Sequence, residues 1–246
     1  MNLEYVPLLQ VQRDIYKLPR SFERFQEYLR TMVDEGTNDI KLPLSGMNPM
    51  GKDHVPAFLD RLLEMNADEA GRSAAKAAEA QLKQELGNYK VGMVVSDDLM
   101  GGWTNRYTSE FDYRFRQKAY YKRGWLPAVL WTSETYTLKL IRQEVLACVI
   151  RAAYVQRHDY AHTLDEMLRQ EGRVMALSGA TEPALEPEDL EYTREVLARY
   201  LNYTDQPTLI TGLFGDAAAR QLGYQALGLS PRAGLALALT DFRESR

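Results

Sequence analysis

The residues best suited to chemistry lie in one short stretch, SDDLMGGWTNR, residues 96–106. Asp97 and Asp98 are adjacent acids directly after an apolar run. Crowded carboxylates shift each other's proton affinity, so one can exchange protons or both can hold a cation. Gly101 and Gly102 permit close backbone approach. Trp103 offers a stacking wall, Asn105 an amide, and Arg106 a fork for carboxylate or phosphate. The competing reading is a turn in which an aspartate caps a helix and Trp103 packs in the core.

A second stretch, MNPMGKDH, residues 47–54, brings Asn48, Lys52 and His54 together just before a helix start, where an anion is favoured. Gly46, Gly51 and Lys52 have the spacing of a phosphate-binding GxxxxGK loop. Asp53 nevertheless stands where a hydroxyl residue is needed, and Pro49 removes an N–H from the cradle, so nucleotide binding through this loop is disfavoured. Asp97, Asp98 and His54 are therefore the catalytic candidates. Asn48, Lys52, Trp103, Asn105 and Arg106 are the substrate-binding ones.

The third candidate is QRHDYAHTLDEM, residues 156–167, in which His158 and His162 are four apart. On one helix they would lie about 40° apart and could share a metal, with His54 as third ligand. The same stripe carries Arg151, Arg169, Glu144 and Asp165, opposite an apolar face. A solvated helix surface is therefore the preferred reading, and no metal ligand is assigned. The motif also lacks the HExxH base.

Positioning such residues requires strands whose ends share a rim. YKVGMVVS (89–96) and WLPAVLWT (125–132) are apolar strand candidates, and IKLPL (40–44) and PTLITGLFG (207–215) are read as two more. Helices are expected over 21–35, from Asp53, over 67–86, over 134–171 with Ser133 as cap, over 188–201, from Asp216, and after Ser230-Pro231. Residues 107–118 alternate like a strand, while a link between parallel strands favours a helix. Alternating strands and helices predict an α/β fold. Its mostly parallel sheet would be flanked by helices, with an added helical layer from the N-terminal and 134–171 helices. The chain reads as one α/β domain over 1–246, with an exposed connector or lid at 173–189.

Composition narrows the classes. Of 246 residues 45% are hydrophobic and 26% charged, with a net charge of −4; this is ordinary globular composition with no global basic field for nucleic acid. YRFRQKAYYKRGW (113–125) has five cations and five aromatics, but it is local and reads as a half-buried element with a wet basic face. The single cysteine, Cys148, excludes an internal disulfide and reads as a buried thiol. No apolar run approaches a membrane span and the N-terminus lacks a basic region before its apolar residues, so a soluble, cytoplasmic protein is expected.

Together these features favour a cytoplasmic α/β enzyme acting on a small polar, anionic metabolite at loops after the strands. No cofactor is implied. A non-catalytic binding or scaffold protein, with the long helix and the aromatic and basic segment as its partner surface, is the alternative, and it predicts no buried ionisable cluster and an exposed apolar or aromatic patch. A metal-dependent hydrolase using His54, His158 and His162 is a further one.

Overall fold

The computed structural model describes residues 1–99 and 105–245. Its sheet has three strands, β1 (Asn2–Tyr5), β2 (Asn88–Ser96) and β3 (Trp125–Trp131), all parallel and in the order β1-β2-β3. The last six residues of β2 and all seven of β3 are buried. Strands covered on both faces lose the polar alternation of a half-exposed sheet, which explains the near-continuous apolar sequences. Register pairs Lys90 with Trp125 and Ser96 with Trp131, and Thr132 N donates to Ser96 O at 3.1 Å. The two strands thus end side by side, and the loops beginning at Asp97 and Thr132 start as neighbours.

The helices are α1 (Leu9–Ile15), α2 (Phe22–Met32), α3 (His54–Glu64), α4 (Ala67–Gln81), α5 (Arg106–Phe115), α6 (Lys118–Lys122), α7 (Leu138–His158), α8 (Leu164–Leu177), α9 (Pro187–Leu197), α10 (Gln206–Phe214), α11 (Asp216–Leu222) and α12 (Ala233–Glu244). An α/β fold with a parallel sheet and flanking helices is what the alternation of elements predicts. Contacts divide the chain into two compact units: Met1–Ser109 with Gln117–Val149, and Glu110–Arg116 with Ile150–Arg246. The chain passes between them inside α5, at the Arg116–Gln117 link and inside α7.

In the first unit, Gln12 fixes α1 on β2. Its side chain is fully buried, its amide donates to Leu8 O and Met93 O at 2.9 Å each, and its oxygen accepts from Val95 N at 2.8 Å. Every polar atom of this buried amide is thereby satisfied. In the second unit, α8 crosses α12 at Gly172, where an added Cβ would sit 2.2 Å from Ala238 O. Only hydrogen at that position allows the two backbones to approach so closely.

Several expected elements differ. Residues 40–44 are not a strand: Ile40 makes a single antiparallel bridge to Val33, and a 3-10 turn begins at Leu44. Pro43 cannot donate to a ladder. Residues 207–214 are helical and Gly215 ends the helix, because Asp205 caps α10 by accepting Thr208 N at 3.0 Å and Pro207 occupies its first turn. All of Leu209–Phe214 is buried, and such an apolar run has no period to separate helix from strand. Residues 107–118 resolve as α5 and the start of α6. The expected 134–171 helix breaks: Asp159 takes φ 65°, and Thr163 with Glu166 forms a capping box that restarts the chain as α8. Ser133 does not cap a helix, since α7 begins only at Leu138. Helix α4 stops at Gln81, before Gly87. Asp216 follows the N-cap Gly215, and Arg232 rather than Ser230 precedes α12. The first part of the expected connector, residues 173–177, still belongs to α8.

The candidate functional site

At the carboxyl end of β2, Asp97 is 2% exposed yet keeps four donors around its carboxylate. His54 Nε2 lies 2.7 Å from Oδ1, Asn48 Nδ2 donates to Oδ2 at 3.1 Å, and Thr132 Oγ1 and Leu99 N reach Oδ1 at 3.1 and 3.3 Å. Burial pushes the Asp97 carboxyl up, but the hydrogen bonds from His54 and Asn48 outweigh it and hold the group below its ordinary range. Asp97 is therefore an anion and can only accept. That places the His54 proton on Nε2 and leaves Nδ1 as the lone-pair nitrogen. His54 Nδ1 is buried and has no hydrogen-bond partner among the described residues, although the side chain as a whole is 23% exposed.

The supports of this pair come from the folded loop before α3. Asn48 is buried and its own oxygen accepts Met50 N at 3.0 Å. Its backbone oxygen accepts Gly51 N at 3.0 Å and the Tyr16 hydroxyl. Gly51 is required by close packing, because a Cβ there would come 2.8 Å from Val55 Cγ2. The loop is thus fixed by α1, α3 and its own backbone, and it delivers Asn48 and His54 to Asp97.

Asp98 turns the other way into a second network. Its Oδ1 accepts Ser133 N at 2.9 Å, and its Oδ2 accepts Ser133 Oγ at 2.6 Å and Arg106 Nη1 at 3.0 Å. Arg106 also pairs with Glu134 and stacks over the Trp131 ring at 4.2 Å. Glu134 in turn accepts the Tyr136 hydroxyl at 2.9 Å, and that hydroxyl accepts Trp131 N at 3.1 Å. Burial, with Glu134 and Glu144 nearby, pushes the Tyr136 phenol well up, so it stays a neutral donor. Asp98 and Arg106 therefore neutralise each other and tie the β2 loop to the β3 loop.

The structure brings together Asn48, His54, Asp97, Asp98 and Arg106, with Thr132, Ser133 and Glu134 from the loop after β3. Lys52 is exposed, two residues before His54, with no ion-pair partner among the described residues. Asn105 caps α5, its oxygen accepting Tyr107 N at 3.0 Å and Thr108 N at 3.2 Å. Gly101, Gly102 and Trp103 lie outside the described residues. The residues around 212, read as a fourth strand, are helical and supply no strand-end loop. Sequence reasoning overlooked Tyr16 and Tyr136, because an isolated tyrosine carries no local signal of the distant carbonyl or carboxylate that it serves.

His158 ends α7, exposed and stacked on Tyr154 at 4.5 Å between ring centroids, and His162 lies exposed in the break before α8. The shared helical face proposed for them does not form. Among the described residues no group of three or more His, Cys, Asp or Glu is arranged to hold a metal ion. Arg151, expected on the wet stripe, is instead buried and grips Glu171 with Nε at 2.8 Å and Nη2 at 2.9 Å. Arg114, from the basic segment, binds the same carboxylate and also Glu110 at 2.7 Å. Cys148 is buried. No helix among the described residues is long and apolar enough to cross a membrane.

Fold and site together define an α/β protein with a hydrogen-bonded histidine–aspartate pair where two parallel strands end. No protein-family model, curated protein or solved structure matches the chain.

Proposed function

We propose that the chain is an α/β enzyme for a small polar, anionic metabolite, with His54 as general acid–base and Asp97 as the residue that orients it. The observation that carries this reading is the 2.7 Å contact between His54 Nε2 and a buried, ionised Asp97, with Nδ1 left unpartnered among the described residues. An imidazole held in this way has a fixed tautomer. It can take a proton on Nδ1, and the resulting imidazolium is stabilised by the carboxylate behind it. A substrate X–H group that reaches this buried nitrogen would supply a hydrogen bond and the proton to be moved.

Asp98 and Arg106 act in this scheme as positioning residues, since each is already compensated. The anionic group of the substrate falls to Lys52, beside the N-terminus of α3, where the helix field also favours negative charge. The non-catalytic alternative called for no buried ionisable cluster, and Asp97 with its donors is such a cluster.

The test is a thermal-shift panel of carboxylates and sugar phosphates on the wild type, Lys52→Ala and His54→Gln. At a ligand concentration about 100 times Kd, binding should add about 2.7 kcal/mol of stability. The expected result is at least one ligand that raises Tm in the wild type and loses that effect in Lys52→Ala. A panel with no stabilising ligand, or one indifferent to both substitutions, would overturn the proposal.

A further inference from the structure

The second unit holds a cleft of about 500 Å³ between the end of α7 and helices α8, α9 and α12. That volume is typical of a site for one small molecule. Its apolar wall comes from Leu168, Leu197, Leu237 and Phe242, supplied by three different helices. Leu197 and Leu237 are nearly fully buried, so the wall is continuous with the core of this unit.

The charges around the cleft are unequal. Arg169, Arg173 and Arg194 line it against only Asp165 and Asp241. Both acids are committed, Asp165 to Arg169 at 2.8 Å and Asp241 to Arg194 at 2.7 Å. Arg173, half-buried, has no ion-pair partner among the described residues. It faces Tyr154, whose phenol is pushed up by burial and drawn back down by Arg173 and Arg169. A guanidinium beside an apolar wall, without an acid of its own, fits a ligand that has an apolar body and one carboxylate.

We propose that this cleft binds a small organic acid with an aliphatic body, its carboxylate at Arg173 and its chain against Leu168, Leu197, Leu237 and Phe242. The cleft lies wholly within the second unit, and the inference does not depend on His54 or Asp97. A cationic ligand would meet the Arg173 guanidinium, with both lining acids already committed to Arg169 and Arg194. A small hydrophilic anion would leave the apolar wall uncovered.

Calorimetric titration of the full chain with octanoate, acetate and octylammonium tests this assignment. Octanoate should bind with a Kd below about 1 mM, whereas acetate and octylammonium should give no saturable heat. Arg173→Gln should weaken octanoate by about tenfold. Ala198→Trp, at an exposed position on the cleft wall, should abolish binding by filling the space. Absence of octanoate binding would overturn the proposal, as would equal binding of octylammonium. Octanoate binding unchanged in Arg173→Gln would remove the carboxylate assignment, and binding unchanged in Ala198→Trp would remove the cleft.

Discussion

Replacing Glu171 by Gln should unlock the second unit, and the size of the effect follows from two separate routes. Glu171 is completely buried, and its carboxylate accepts both forks of Arg151, Arg114 Nη1 and, at 3.1 Å, the Gln170 amide. Glutamine keeps the shape but removes the charge, so Arg151 loses this counter-ion inside the protein while Arg114 keeps Glu110. Breaking a buried ion pair from one side costs about 3–5 kcal/mol, because the remaining charge is left uncompensated. The proton affinity gives a similar figure. Burial pushes this carboxyl up, but Arg151 and Arg114 overcome it and bring the group from 4.5 down to about 2. At about 1.4 kcal/mol per pH unit, that depression is on the order of 3 kcal/mol. The sign is that of a depressed acid: the stabilisation is complete above pH 4.5 and is lost as pH falls toward 2. No tryptophan belongs to the second unit, so hydrogen exchange of the α8 amides is the proper readout. At neutral pH their protection should fall by about two orders of magnitude in Glu171→Gln. A change of less than about threefold, well under 1 kcal/mol, would refute the reasoning.

Other substitutions probe different contacts. Gly172→Ala should cost about 1–3 kcal/mol and lower Tm, because its methyl would meet Ala238 O and force α8 from α12. Asp97→Ala should destabilise the first unit by about 1–3 kcal/mol through the orphaned Asn48 donor, since the Thr132 hydroxyl keeps Asp98 Oδ1 at 3.1 Å, read by tryptophan fluorescence during urea unfolding. The wild type should also lose an Asp97 contribution as pH falls through that depressed carboxyl's range, and Asp97→Asn should not. Asp216→Ala removes the acceptor for Leu227, Gly228 and Leu229 N–H, held at 2.9, 3.1 and 3.1 Å, so exchange at those three amides should accelerate selectively.

What the sequence made visible followed from how local each signal was. Strands β2 and β3 were legible because burial on both faces writes an apolar run bounded by turns. Strand β1 is only the four residues NLEY, with no run to detect, and its strand character comes from pairing with residues 88–91. The apolar run of α10 was misread because full burial erases the helical period. The Asp159 break was hidden because the apolar spacing continues across it, while φ 65° is a property of the backbone alone. At the site, Asp97, His54 and Asn48 could be nominated from loop chemistry. Their mutual contacts could not, because 43 to 49 residues separate the partners. Glu171 was invisible as a centre of charge because Arg114 lies 57 positions earlier in the chain.

The chain passes between the two units three times, inside α5, at the Arg116–Gln117 link and inside α7, and this has a practical result for anyone dissecting the protein. A fragment beginning at Ile150 would start in mid-helix and would omit residues 110–116. Glu110 and Arg114 would go with them, stripping Glu171 of one counter-ion and Arg232 of its carboxylate partner at 2.6 Å. Neither half can therefore be excised with a single cut, and an engineered version of the second unit would need its seven-residue insert supplied as a fused or added peptide.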